Sequence, residues 1–136
     1  VVWSLEHSNV LLIIFTSPWR WEEFLFSVEL SRQQLRTHPD TVYVVVDRRF
    51  AGTAPPDTGD NLINHFKIAM TDLPTNIAMI VLVGRATSLS TLFATLVQEN
   101  ALPMPVRFLA TMEEAFEVIM AEEGRRKRGT GPLKIS

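Results

Sequence analysis

The sequence predicts an α/β fold of order ββαβαβαβα: a mostly parallel sheet with an antiparallel N-terminal hairpin strand and four helices. Three observations carry that prediction. The stretch Thr41-Val42-Tyr43-Val44-Val45-Val46-Asp47 is rich in Val and shows no polar alternation before Asp47, as a strand covered on both faces does. Ile77 to Val83 repeats that pattern. Around these runs lie segments with apolar residues at helical spacing, which supply the right-handed crossovers a parallel sheet requires. After Val46 the central strand breaks into Asp47-Arg48-Arg49, where the chain is expected to emerge into solvent.

Val1 to Glu6 alternates loosely, with Trp3 and Leu5 on one face, and His7-Ser8-Asn9 supplies turn residues before the apolar run Val10 to Phe15. The two runs read as an antiparallel hairpin. Thr16-Ser17-Pro18 then starts a helix, with Ser17 as its cap and Pro18 where a missing N–H costs nothing. Trp21, Phe24, Leu25, Val28 and Leu35 form its buried stripe, to about Thr37. Glu22 and Glu23 suit the positive end of its dipole, and Arg32 and Arg36 the negative end.

The central strand leads into a loop punctuated by Gly and Pro, from Phe50 to Gly59. Asp57 or Asp60 caps a second helix carrying Leu62, Ile63, Phe66, Ala69, Met70 and Leu73 on one face. The strand at 77–83 ends at Gly84-Arg85, and Ser88 caps a third helix with Leu89, Leu92, Phe93, Leu96 and Val97 inward. Val106 to Ala110 is a short last strand. Thr111-Met112-Glu113-Glu114 has the capping-box form ahead of a fourth helix with Ala115, Phe116, Ile119 and Met120 as its stripe. The expected organisation is one domain over 1–123 and a basic flexible tail over 124–136.

Composition narrows the function classes. A chain of 136 residues, 46% hydrophobic, is long enough for one good core and too apolar for disorder. A formal charge of −2 argues against a nucleic-acid binder. The absence of Cys excludes a disulfide framework and thiolate chemistry. No apolar run reaches the roughly 20 residues of a membrane span, and the N-terminus lacks a signal-peptide pattern, so the expectation is a soluble cytoplasmic protein.

The initial hairpin, the central strand ending in Asp47 and the three further helix-bearing units resemble the STAS fold of anti-sigma-factor antagonists, related in shape to the lipid-binding CRAL-TRIO domain. Locally, Pro18-Trp19-Arg20-Trp21-Glu22-Glu23-Phe24 and Arg107-Phe108-Leu109-Ala110-Thr111-Met112-Glu113-Glu114-Ala115 resemble small uncharacterised bacterial STAS-like proteins, a similarity over residues 1–123. The resemblance implies a non-enzymatic module that acts through a partner protein or a second copy of itself. Regulatory STAS proteins carry an Asp-Ser-Ser-Gly-like stretch at the helix after the central strand, where a kinase modifies Ser. Here that region reads Pro56-Asp57-Thr58-Gly59-Asp60-Asn61, which leaves Thr58 as the substitute for phosphorylation.

Open parallel sheets place ligands outside the carboxyl ends of their strands. That rule directs attention to Arg48, Arg49, Arg85 and Ser88, near helix N-termini that favour an anion such as a phosphate or carboxylate. The plain alternative is that Asp47 pairs with one of these Arg side chains and the region is ordinary surface. Asp47 also invites comparison with the phosphorylated Asp of receiver domains. Those need an acidic pair after an early strand and a Lys after a late one, and neither stands at Phe15-Thr16-Ser17 or Leu109-Ala110-Thr111.

Trp19 and Trp21 cannot both face the core from one helix. Trp21 fits the stripe, so Trp19 is either an exposed contact residue or a rim Trp packed on Pro18 or the loop at 50–56. With Leu62 and Phe66 on the second helix, it marks the surface to examine for a partner or a homodimer. His7, His38 and His65 share no metal-ligand spacing, no Gly-x-Ser-x-Gly elbow follows a strand, and Gly84-Arg85-Ala86-Thr87-Ser88 lacks a phosphate-loop pattern. No catalytic residue, metal or cofactor is therefore assigned. Arg125 to Arg128 reads as a solvated run. The preferred reading is an interaction module or a holder of a small anionic ligand. The alternative is a small α/β enzyme or a carrier of an apolar, lipid-like ligand in a pocket lined by Phe50, Phe66 and the Arg side chains.

Overall fold

The computed structural model describes residues 1–52, 61–85 and 88–129, and within them the side chains of all but 61–63, 65, 88 and 89. The elements are β1 (Val2–Trp3), β2 (Val10–Thr16), α1 (Trp21–Arg36), β3 (Val42–Phe50), α2 (Asn61–Thr71), β4 (Ile77–Val83), α3 (Ser88–Gln98), β5 (Val106–Leu109) and α4 (Met112–Gly129). They form one five-stranded sheet in the order β1-β2-β3-β4-β5, with β1 antiparallel to β2 and every other neighbour parallel. The ββαβαβαβα order and the mostly parallel sheet are as the sequence predicts.

The strand order never reverses, and the two faces are covered unequally as a result. Leu11, Ile13, Val44, Val46, Ile80 and Leu82 point to the face packed by Trp21, Phe24 and Val28 of α1, Phe66 and Met70 of α2, and Phe93 and Leu96 of α3. Val10, Tyr43, Val45, Met79, Val81 and Val83 point to the other face, where Ala115 and Ile119 of α4 cover them. Right-handed crossovers that always step in one direction put their helices on one face. Only the chain after β5 crosses to the opposite side.

The larger core is built on aromatic contacts. Phe24 stacks on Phe66 with centroids 5.4 Å apart, and Phe93 meets Phe66 edge-on at 5.1 Å. A cavity of ≈ 30 Å³ between α1, α2 and the sheet is the volume of about one water, so this interior is filled. Arg32 was expected to serve the dipole of its own helix. Its guanidinium instead donates to the carbonyls of Ala69 and Asp72 at the end of α2, joining the two helices.

Several boundaries differ from expectation, each for a local reason. The expected strand over Val1 to Glu6 is paired only at Val2 and Trp3, because the Ser4 hydroxyl accepts from the Glu6 and His7 amides and turns the chain, leaving Leu5 exposed. Ser17 does not cap α1. Its N–H donates to the Phe50 carbonyl at 2.9 Å, continuing the strand pairing, and α1 starts at Trp21 behind an extended Arg20 with no side-chain cap. The break into solvent expected at Asp47 is absent: β3 runs on through Arg48 and Arg49 to Phe50, with Asp47 and Arg48 buried. Nor does α4 stop near residue 123. Glu122–Arg125, Glu122–Arg126 and Glu123–Lys127 pairs at helical spacing accompany its extension to Gly129.

Other end signals read as expected. Thr111 Oγ1 accepts from the Glu114 amide at 3.1 Å at the start of α4. Asn100 adopts φ +54° beyond α3, with Ala101 N–H bonded to the Leu96 carbonyl and Asn100 N–H to the Val97 carbonyl, a Schellman closure.

Candidate functional site

The carboxyl ends of β3 and β4 meet at a cleft, where Gly84 lets their backbones approach and Gly52 seats against the Ser17 side chain. Gly84 has φ +123°, and a Cβ on it would lie 3.3 Å from the Arg48 carbonyl carbon and the Arg49 nitrogen. Gly52 has φ +64°, and a Cβ there would lie 3.0 Å from Ser17 Cβ and Oγ. Gly84→Ala is expected to cost about 1–3 kcal/mol through backbone strain and loss of this approach. Urea denaturation checks it; wild-type stability in that variant would mean that β3 and β4 do not depend on the contact.

The cleft is an open space of ≈ 610 Å³ whose described lining is Arg48, Arg49, Gly52, Gly84, Arg85 and Ala110. It lies where the chains leaving β4 and β5 part company, α3 going to one face of the sheet and α4 to the other. That divergence supplies the opening which a reversal of strand order supplies in doubly wound folds. A second recess of ≈ 400 Å³ adjoins it, lined by Arg48, Gly84, Ser90, Thr91, Phe108 and Ala110 among others.

Each arginine has a distinct setting. Arg48 is 5% exposed, and its guanidinium donates to the Gly84 and Arg85 carbonyls, tying β3 to the loop after β4. Burial pulls its pKa below the usual value, while the Asp47 charge acts the other way. Arg49 grips Asp47 with Nε and Nη2, both at 2.9 Å, and its guanidinium carbon lies 5.0 Å from the centre of the Phe50 ring. Burial by itself would raise the Asp47 carboxyl. The hydrogen bonds from the Arg49 side chain and backbone, with the charges of Arg49 and Arg48, outweigh it and hold the pKa below its ordinary value. Arg85 is exposed at the mouth.

The structure thus brings Arg48, Arg49 and Arg85 into one lining, while Ser88 begins α3 with its side chain outside the described residues. The Asp47–Arg49 pair, named as the plain alternative, is present as well. Three guanidinium groups against one carboxylate leave this end of the sheet at +2 among these four residues (3 − 1 = 2). Sequence reasoning set Gly84 and Ala110 at strand ends, where open parallel sheets place ligands, and did not single out Gly52.

Two proposed contact residues are corrected. Trp19 is 8% exposed, its indole N–H donates to the Ala51 carbonyl at 3.0 Å, and it packs edge-on against Trp21. Because α1 starts after it, Trp19 escapes helical periodicity, so both indoles reach the core. Phe66 is 1% exposed, at the centre of the aromatic cluster. Neither offers a docking surface. Thr58 lies outside the described residues, as does the side chain of Leu62. Phe50 is exposed and Phe66 is core, so they do not share the apolar pocket that a lipid-like ligand requires.

His7 packs at a tilt against Phe116 and His38 stacks on Trp3, and among the described residues no three His, Cys, Asp or Glu side chains form a metal-binding group. No described helix is long and apolar enough to cross a membrane. Compared with family models, curated proteins and solved structures, the chain matches none.

Proposed function

We propose that this chain is a non-enzymatic, STAS-like binding module that takes a small anionic group, a phosphate or carboxylate, in the cleft of Arg48, Arg49 and Arg85. The observation that carries this reading is the gathering of three guanidinium groups, with Asp47 as the described carboxylate among them, around an open cleft at the carboxyl ends of β3 and β4. Arg48 and Arg49 are held in place by the Gly84 and Arg85 carbonyls and by Asp47, so little side-chain order has to be gained on binding. Arg85, exposed at the mouth, is the group that closes on the ligand. The filled core supports this reading over a carrier of apolar ligands. The STAS resemblance supports a regulatory use of the ligand in a bacterial cytoplasm, with the region around Thr58 beside the cleft's own loop in sequence.

Titration with inorganic pyrophosphate, followed by backbone amide resonances, tests the proposal. Gly52, Gly84 and Arg85 are expected to shift, binding is expected to weaken with salt, and Arg85→Ala is expected to lose about tenfold in affinity. Unmoved resonances at these three residues, or an Arg85→Glu variant that binds as well as wild type, would rule it out.

A further inference from the structure

The arginine cleft does not end at its charged residues. Arg48, Gly84 and Ala110 line both it and the adjoining recess of ≈ 400 Å³, so the two spaces share a wall. Past that wall the described lining changes character. It consists of Ser90, Thr91 and Ala94 from α3, with Phe108 and Leu109 from β5. A space of this size, largely apolar and with a charged group at one end, has the usual form of a small-molecule pocket.

Phe108 is the aromatic residue that the core does not use. In the parallel register it stands opposite Leu82, which points into the larger core, so its ring lies on the α3 face of the sheet. Val106, two residues earlier on that face, packs against the core, whereas Phe108 is 43% exposed. The core contacts of α3 are made by Phe93 and Leu96, and the residues it turns toward the recess are short. Arg48 reaches the same recess because it follows Val46 by two residues along β3 and so leaves the sheet on the same face. An open aromatic ring and a buried guanidinium thus line one continuous space.

We infer that the anion taken by the cleft is the head of a larger ligand, an organic phosphate or carboxylate whose aromatic ring lies in this recess against Phe108. The inference rests on the anion-binding reading of the cleft and adds the body of the ligand to it. Arg48 is the joint between the two parts, since the Gly84 and Arg85 carbonyls fix its guanidinium where the two spaces meet. A flat ring suits the recess because offset or edge-on contact with Phe108 adds to the gain from removing apolar surface from water. An inorganic anion fills the cleft alone and leaves the Phe108 ring in solvent.

The test compares phenyl phosphate with methyl phosphate by titration of the isotope-labelled chain at about pH 8, where both are dianions. Both are expected to shift Gly52, Gly84 and Arg85, and phenyl phosphate alone to shift Ala94, Leu109 and the Phe108 ring as well. Phenyl phosphate is expected to bind about tenfold more tightly, and Phe108→Ala to remove most of that advantage. Equal affinities of the two compounds for the wild type would overturn this inference while leaving the anion reading intact. Shifts that phenyl phosphate confines to the cleft would do the same. Phenyl phosphate that moves Phe108 but neither Gly52 nor Arg85 would also overturn it, because the ring would then bind without its anion in the cleft. If neither compound shifts the cleft residues up to about 10 mM, both readings fall. Because the two compounds are compared on the unmodified chain, the result stands even where the Phe108 variant folds poorly.

Discussion

Phe66→Ala is expected to cost about 3–5 kcal/mol of folding stability, the range for deleting a buried aromatic ring. Phe66 stacks on Phe24 and receives the edge of Phe93, so its removal leaves two rings without their shared neighbour and opens a void beside the existing small cavity. Domains of this size have a total stability of about 5–15 kcal/mol, so the variant will be unfolded or close to it. Chemical denaturation followed by the fluorescence of Trp19 and Trp21 measures the effect, since both indoles are buried near the same cluster. A loss below about 1 kcal/mol is what a surface contact residue would show, and it would restore Phe66 to an interface.

Asp47→Ala is expected to cost about 2–3 kcal/mol at neutral pH, less than the loss on breaking a wholly buried ion pair. The discount follows from Arg49, whose side chain is 39% exposed and recovers water once its partner is gone. The effect depends on pH with a definite sign. The folded state holds the Asp47 carboxyl below its ordinary value, so the native protein binds that proton less readily than the unfolded chain. The stability it contributes is fully present above the unfolded pKa of about 3.9 and is lost as pH falls through the folded value. Urea denaturation of wild type and variant will therefore show a constant gap from pH 7 to about pH 5 and a closing gap below about pH 4. A gap that widened on acidification would mean that the carboxyl is not held ionised by Arg49.

The sequence by itself determined the order of elements and most of their cores. Long uninterrupted apolar runs such as Val42–Val46 and Ile77–Val83 have only one economical use, as strands covered on both sides, and periodic segments between them have to cross over the sheet. It also placed Arg48, Arg49 and Arg85 near one another, because residues that follow adjacent parallel strands share one end of a sheet. Tertiary structure decided what local pattern does not encode. Trp19 became a core residue because the helix began later than its capping residues suggested, and Phe66 turned inward because three crossover helices share one face. The extension of β3 through two arginines was beyond local reading, since charged residues end strands unless distant partners compensate them. Here Asp47 holds one guanidinium and the carbonyls after β4 hold the other.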